Sequence, residues 1–104
     1  MKPLLYVDGY NIIGAWPWAQ RPGVALDEAR DRLLHELEDY AGYTGQEVVL
    51  VFDGHKSDRM TRSHETRALI ALVYTKHGET ADQYIERACA LLPPYRVARV
   101  ATSD

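Results

Sequence analysis

Three apolar runs of this chain, each as long as a buried strand, lead into an aspartate; these are Asp8, Asp53 and Asp104. A fourth acid, Asp82, lies in the first turn of a predicted helix that begins at Thr80. In a parallel sheet, the carboxyl ends of the strands share one edge with the starts of the helices that follow them. We therefore expect the four carboxylates to lie along one edge of a sheet.

The chemistry that suits these acids is metal binding. Crowded carboxylates repel and raise one another's pKa values, and a hard divalent cation removes that cost. Mg²⁺ prefers oxygen ligands and is commonly held by one or two carboxylates together with substrate phosphate oxygens. The chain has one cysteine, four scattered histidines and no glycine-rich phosphate loop, so neither a zinc site nor a nucleotide cradle is predicted. The pattern favours metal-assisted hydrolysis of a phosphodiester.

Two of the acids near this set have a second interpretation. Asp53 precedes a glycine, and an Asp-Gly pair after a strand is also typical of a plain turn, so Asp53 is either a residue of the metal site or a turn residue. Glu86 lies one helical turn beyond Asp82 and can reach the same face, but a solvent-facing helix residue has the same position.

The elements that must position these acids follow from the hydrophobic pattern. Strands alternate with helical segments, which predicts an α/β fold with a mostly parallel, doubly wound sheet and right-handed crossovers. A long loop is expected between the first strand and the first helix, and a polar, basic segment between the second and third strands. The predicted strands are 3–8, 47–52, 69–74 and 96–101, and the predicted helices are 27–41 and 81–92.

Length and composition set the class of protein. The 104 residues, 46% of them hydrophobic, indicate one folded domain covering 1–104. Cys89 is the only cysteine, which excludes an internal disulfide, and the sequence shows neither a signal segment nor a membrane span. We expect a cytoplasmic protein with no membrane partner.

The charge distribution bears on nucleic acid binding. The net charge of −3 argues against strong sequence-independent binding of nucleic acid, because such binding depends on lysine and arginine side chains that neutralise phosphates. The segment 55–67 is nevertheless basic and follows Asp53, so it is either a rim that contacts RNA phosphates or an ordinary solvent-facing segment. Trp16 and Trp18 either stack on bases of single-stranded RNA or pack onto the sheet. The basic residues of the segment are Lys56, Arg59, Arg62 and Arg67.

Five groups of motif residues occur in order along the chain: 5–17 (LYVDGYNIIGAWP), 43–45 (YTG), 51–53 (VFD), 74–76 (YTK) with 79–82 (ETAD), and 100–104 (VATSD). Together they resemble the YacP-like branch of the NYN domains, relatives of the PIN nucleases. The resemblance implies a PIN-like three-layer α/β/α fold with strand order 3-2-1-4-5, a Mg²⁺ or Mn²⁺ site, and endoribonuclease activity on single-stranded RNA. Characterised members associate with ribosomes and cut mRNA during translation, so mRNA and the ribosome are the implied partners.

Carried onto this chain, the acidic site of the family falls on Asp8, Asp82 and Asp104, with Asn11 and Asp53 beside it. In this interpretation a metal ion on the three aspartates activates water and stabilises charge on the scissile phosphate, leaving a 5′-phosphate and a 3′-hydroxyl. Asn11 is expected to orient a water or a phosphate.

The chain departs from the family pattern in one respect, and two other functions stay open. Family members usually continue beyond the motif at 100–104, so the chain is expected to be truncated, lacking a C-terminal strand and helices, and the open sheet edge favours instability, aggregation or a homodimer. One alternative is a non-catalytic module that binds RNA or the ribosome. The other is a small-molecule phosphatase with a strand-end aspartate as nucleophile, although Tyr10 stands where such enzymes usually have a second aspartate.

Overall fold

A sheet of five strands organises the part of the chain that the structure, a computed structural model, describes: residues 4–54 and 60–102. Its strands are β1 (Leu4–Asp8), β2 (Val48–Phe52), β3 (Ser63–Arg67), β4 (Ile70–Tyr74) and β5 (Ala98–Ala101). The helices are α1 (Gly9–Gly14), α2 (Leu26–Thr44) and α3 (Ala81–Ala90), and a short 3₁₀ helix covers Pro17–Gln20.

The strands lie in the order β3-β4-β2-β1-β5. The last four are parallel to one another, and β3 pairs with β4 in the antiparallel sense at the edge of the sheet. This confirms the predicted α/β fold with a mostly parallel sheet. The four parallel strands, numbered among themselves along the chain, lie in the order 3-2-1-4, which agrees with the resemblance.

The sheet separates two hydrophobic layers, because successive side chains of a strand point to opposite faces. Val7, Leu50 and Leu72 face the side covered by α1 and α2, where Leu33 is also buried. The residues next to them in sequence, such as Tyr6, Val51 and Val73, face Ala81 and Ile85 of α3. The described chain therefore has three layers, with helices on both faces of the sheet.

Local signals explain how the two longer helices are bounded. α2 ends at Thr44, three residues beyond the predicted end, and Gly45 follows with a φ of 72°, a left-handed conformation that glycine adopts without steric cost. At the start of α3, the Thr80 hydroxyl accepts a hydrogen bond from the Gln83 N–H. The Gln83 side-chain carbonyl in turn accepts a hydrogen bond from the Thr80 N–H. This reciprocal pair of hydrogen bonds is a capping box, and it starts the helix at the predicted Thr80.

Two sequence predictions of irregular structure are wrong. The expected loop after the first strand contains α1 and the 3₁₀ helix, which are too short to show a clear helical periodicity. The expected polar segment contains β3, whose residues are all exposed and which forms through its pairing with β4 rather than through an apolar pattern. In the turn between β3 and β4, Ala68 has a positive φ, a conformation that glycine or asparagine usually adopts in such turns.

No helix in residues 4–54 and 60–102 is both long and apolar enough to cross a membrane.

Candidate active site

The carboxyl ends of the parallel strands meet at one edge of the sheet, as expected. Asp8 is the last residue of β1, Asp53 directly follows β2, and Thr102 directly follows β5. β1 pairs with both β2 and β5, and neighbouring strands of a sheet are about 4.8 Å apart. The structure therefore brings Asp8 close to the ends of both adjacent strands.

Asp8 turns the chain from β1 into α1. Its Oδ1 accepts a hydrogen bond from the Asn11 N–H at 3.4 Å, so the carboxylate caps the helix that follows it. Gly9 makes this tight turn possible, because a Cβ at that position would lie only 2.4 Å from the Phe52 ring. The position of Asp8 thus depends on a glycine and on an aromatic ring of the neighbouring strand.

Asn11 links α1 to the end of β5. The Thr102 hydroxyl donates to Asn11 Oδ1 at 2.6 Å. Thr102 precedes Asp104 by two residues, and Asp104 itself lies outside the described residues. Among the predicted site residues, Asp8 and Asn11 are thus adjacent to the strand end that leads toward Asp104.

Asp53 connects the end of β2 with the start of α3. Its Oδ2 accepts from the Ala81 N–H at 3.4 Å, which places this carboxylate at the first residue of the helix that carries Asp82. Asp53 is therefore more than a turn residue. Asp82 itself is exposed in the first turn of α3, and it lies at the same edge of the sheet as Asp8.

A buried threonine completes this connection. The Thr75 hydroxyl accepts from the Gly54 N–H at 2.7 Å and donates to the Glu79 carbonyl at 2.7 Å. Thr75 is fully buried. Its two hydrogen bonds join the residue after Asp53 to the segment that leads into α3.

The donor types at this edge suit a hard divalent cation, since carboxylate, amide and hydroxyl oxygens are what Mg²⁺ prefers. Within 4–54 and 60–102, however, no three side chains of histidine, cysteine, aspartate or glutamate lie close enough together to hold a metal ion. Asp104 belongs to the predicted set and falls outside those residues. The metal site of Asp8, Asp82 and Asp104, with Asp53 beside it, thus remains a prediction.

Glu79 belongs to the 79–82 motif, but the sequence analysis assigned it no role; among the described residues it is the charged residue with a buried side chain. Both of its carboxylate oxygens accept from Arg62, with Nε–Oε1 at 2.8 Å and Nη2–Oε2 at 2.6 Å. Arg87 Nη1 lies 3.3 Å from Oε2. The hydrogen bonds from Arg62 lower the pKa of the Glu79 carboxyl, although burial acts in the opposite direction. Arg62 is 17 residues away, so no local pattern could reveal this pair.

The predicted RNA-binding arginines occupy different places. Arg62 precedes β3 at the same edge as Asp53, but its guanidinium is engaged by Glu79. Arg67 pairs with Ile70 at the start of β4, so it lies at the opposite edge of the sheet, where it forms an ion pair with Glu65 at 3.0 Å. Lys56 and Arg59 lie outside the described residues.

Trp16 and Trp18 are half-buried and pack against the core on the α2 face. Their ring centroids are 5.1 Å apart, and the Arg32 guanidinium lies 4.3 Å from the centre of the Trp18 ring. This arrangement supports the packing interpretation, because the rings contact the core and the Arg32 guanidinium lies over the Trp18 ring.

Glu86 is exposed on α3 and lines an open cavity of about 550 Å³. Other residues of this cavity include Lys76, His77, Gln83 and Arg87. The position agrees with the solvent-facing interpretation of Glu86.

The comparisons with known proteins agree with the fold. The model of the YacP-like NYN domain family matches residues 5–104. The chain is 41% identical over 103 residues to the Bacillus subtilis (strain 168) protein described as "uncharacterized protein YacP", covering 97% of this chain and 60% of that protein. Crystal structures of Rae1 (YacP) from Bacillus subtilis superpose with TM-scores of 0.78 for the protein and 0.77 for its W164L mutant, at 38% and 40% identity. Each covers 99% of this chain, which spans 60% of theirs.

Proposed function

The chain belongs to the YacP-like NYN domain family, which has a PIN-like nuclease fold, and from this premise we propose that it is a metal-dependent endoribonuclease acting on single-stranded RNA. The observation that carries the proposal is the convergence of Asp8, Asp53 and the first turn of α3 at one edge of the sheet. Ligands of open α/β sheets bind at this edge, beyond the carboxyl ends of the strands.

Asp8, Asp82 and Asp104 are the residues that would hold Mg²⁺ or Mn²⁺. A divalent ion held there would supply positive charge for the scissile phosphate and would lower the pKa of a water molecule bound to it. Asn11 orients a water or a phosphate oxygen, and the Thr102 hydroxyl holds its amide. Asp53 supports the set by binding the first N–H of α3. The products of this chemistry are a 5′-phosphate and a 3′-hydroxyl.

The proposed partners follow from the same premise. Single-stranded RNA is the substrate class, and mRNA on the ribosome in the cytoplasm is the setting. The residues proposed to contact RNA phosphates are Lys56 and Arg59, because Arg62 is engaged by Glu79 and Arg67 lies at the far edge.

The test replaces Asp8 by asparagine and measures cleavage of a single-stranded RNA with Mg²⁺ and with EDTA. Asp8→Asn is expected to lower the cleavage rate on the order of 100-fold, because a metal ligand loses its charge. Its thermal stability without metal should be unchanged or slightly higher, since asparagine also caps helices and repulsion is relieved.

Asp39→Asn is the matched control, because Asp39 is an exposed acid near the end of α2, on the side where β2 begins. It should cleave like the unmodified chain. Equal cleavage by the Asp8 and Asp39 variants would refute a catalytic role for Asp8. Metal binding without any cleavage by the unmodified chain would favour the non-catalytic RNA-binding module.

A further inference from the structure

The Glu79 carboxylate is buried, and both of its oxygens accept hydrogen bonds from one arginine. The Glu79 side chain is 4% exposed, and the planar guanidinium of Arg62 binds both of its oxygens. Bidentate pairs of this kind fix geometry as well as charge. The Arg62 guanidinium also lies 5.5 Å from the centre of the Tyr84 ring, so one end of the pair rests against α3 itself.

The main chain of Glu79 is fixed from the other side. Its N–H donates to the Lys76 carbonyl at 3.0 Å, and its carbonyl accepts from the buried Thr75 hydroxyl at 2.7 Å. Thr80, the cap of α3, is the next residue, and Asp82 follows two positions later. The last residue before the α3 cap is therefore restrained through both its side chain and its backbone.

Net stability is a poor explanation for such a pair. Taking the Glu79 carboxylate out of water costs free energy that its attraction to the partly exposed Arg62 often only balances, so the pair contributes little compared with apolar packing. What the pair does supply is a fixed distance between the residue before β3 and the residue before the α3 cap. Asp53 accepts a hydrogen bond from the Ala81 N–H at the same helix start. The Glu79–Arg62 ion pair and this hydrogen bond therefore both restrain the first turn of α3.

We propose that Glu79, through its ion pair with Arg62, is a positioning residue for the metal site: it fixes the first turn of α3 and with it the Asp82 carboxylate. The inference rests on the proposed function, because only a metal site at this edge gives the position of Asp82 a chemical consequence. Glu79 acts through Asp82 and does not touch the metal.

The test measures Mn²⁺ binding to the RNA-free chain by the loss of the electron paramagnetic resonance signal of free Mn²⁺. Glu79→Gln and Arg62→Met should each weaken Mn²⁺ affinity about tenfold, the lower end of what is typical when residues that orient metal ligands are changed. The double variant should be no weaker than the singles, since either change breaks the pair. In an Asp82→Asn background, Glu79→Gln should cause no further loss.

Glu65→Gln and Arg67→Met are matched controls, because they break an exposed ion pair of the same residue types at 3.0 Å. Both should bind Mn²⁺ like the unmodified chain. Amide hydrogen exchange provides a readout without metal: exchange at Ala81 and Gln83 should rise about tenfold in Glu79→Gln and stay unchanged at Leu50, which lies in β2. If Glu79→Gln does not fold, Arg62→Lys should give a smaller loss of affinity in the same direction.

Unchanged Mn²⁺ affinity in the Glu79 and Arg62 variants would overturn the inference, even if their melting temperatures fall. A further loss in the Asp82→Asn background would also overturn it, since Glu79 would then act by another route. If the unmodified chain binds Mn²⁺ but cuts no RNA, the nuclease proposal fails while the variants still decide the role of Glu79. If it binds no Mn²⁺, both proposals fail, and the unmodified chain alone reveals this.

Discussion

Gly9 illustrates what a single residue contributes to the site. The Asp-Gly pair after an apolar run predicts a sharp turn that leaves a carboxylate at a strand end, and the structure has this turn. The sequence does not show that Gly9 also faces the Phe52 ring of the adjacent strand, because that contact depends on the pairing of β1 with β2. The residue type was thus predictable, and the packing reason for it was not.

Gly9→Ala should lower the free energy of unfolding by about 1 to 3 kcal/mol, because the new Cβ meets ring atoms of a fully buried side chain that has little room to move. Gly14→Ala is the matched control, since apart from its chain neighbours and the nearby backbone of α1 no described atom lies within 4 Å of a Cβ there. That change should be neutral or stabilising by up to about 1 kcal/mol. Urea denaturation of the two variants measures the difference, and equal stabilities would contradict the close contact at Gly9.

Asp53 and Glu79 show where prediction from single residues ends. The carboxyl end of a strand was sufficient to place Asp53 at the correct edge, but its partner Ala81 is 28 residues away. Glu79 has its partner 17 residues away, in a segment that was expected to contact RNA. Contacts over such separations depend on the assembled sheet, so the sequence predicted the edge at which Asp8 and Asp53 lie and missed the partners of Asp53 and Glu79.

At the scale of elements, the parallel strands and the two longer helices were predictable because each has an apolar pattern of its own. β3 has none: it is exposed along its whole length, and its pairing with β4 is what makes it a strand. This strand changes the interpretation of the basic segment. Because β3 runs antiparallel to β4, it carries Arg67 away from the edge where Asp53 lies.

The connection between β4 and α3 is the element that the site depends on most directly. Thr75→Val keeps the shape of this buried side chain but removes its hydrogen bonds to the Gly54 N–H and the Glu79 carbonyl. We expect a loss of about 2 kcal/mol in the free energy of unfolding, the usual cost when buried polar groups lose their partners.

Thr44→Val provides the comparison, because the Thr44 hydroxyl also makes two hydrogen bonds, to the Tyr40 carbonyl and from the Gln46 N–H, but at the surface. Water replaces those partners, so the loss there should be about 0.5 kcal/mol. Thermal and urea unfolding of both variants give the two values. A Thr75 variant as stable as the Thr44 variant would show that the buried hydrogen bonds do not hold the start of α3.

At the scale of the whole molecule, charge decides how RNA is held. The chain carries a net charge of −3, so phosphate contacts must come from a local concentration of cations. Arg62 neutralises the buried Glu79 and Arg67 is paired with Glu65, which leaves Lys56 and Arg59 as the proposed contacts next to Asp53 in the sequence. The sequence analysis treated 55–67 as one segment, and in its described part Arg62 and Arg67 lie at opposite edges of the sheet.

Replacing Lys56 and Arg59 together by glutamine should therefore weaken RNA binding most at low salt. Each phosphate contact on a single strand contributes about 0.7 to the slope of log affinity against log salt, so losing two should reduce the slope by roughly 1.4. Arg67→Gln, at the far edge of the sheet, should leave the slope unchanged. Fluorescence anisotropy with a short single-stranded RNA in EDTA, at several salt concentrations, measures all three proteins without cleavage. A slope that falls in Arg67→Gln and not in the double variant would place the RNA along β3, away from the acids, and would count against cleavage at the edge where Asp8 lies.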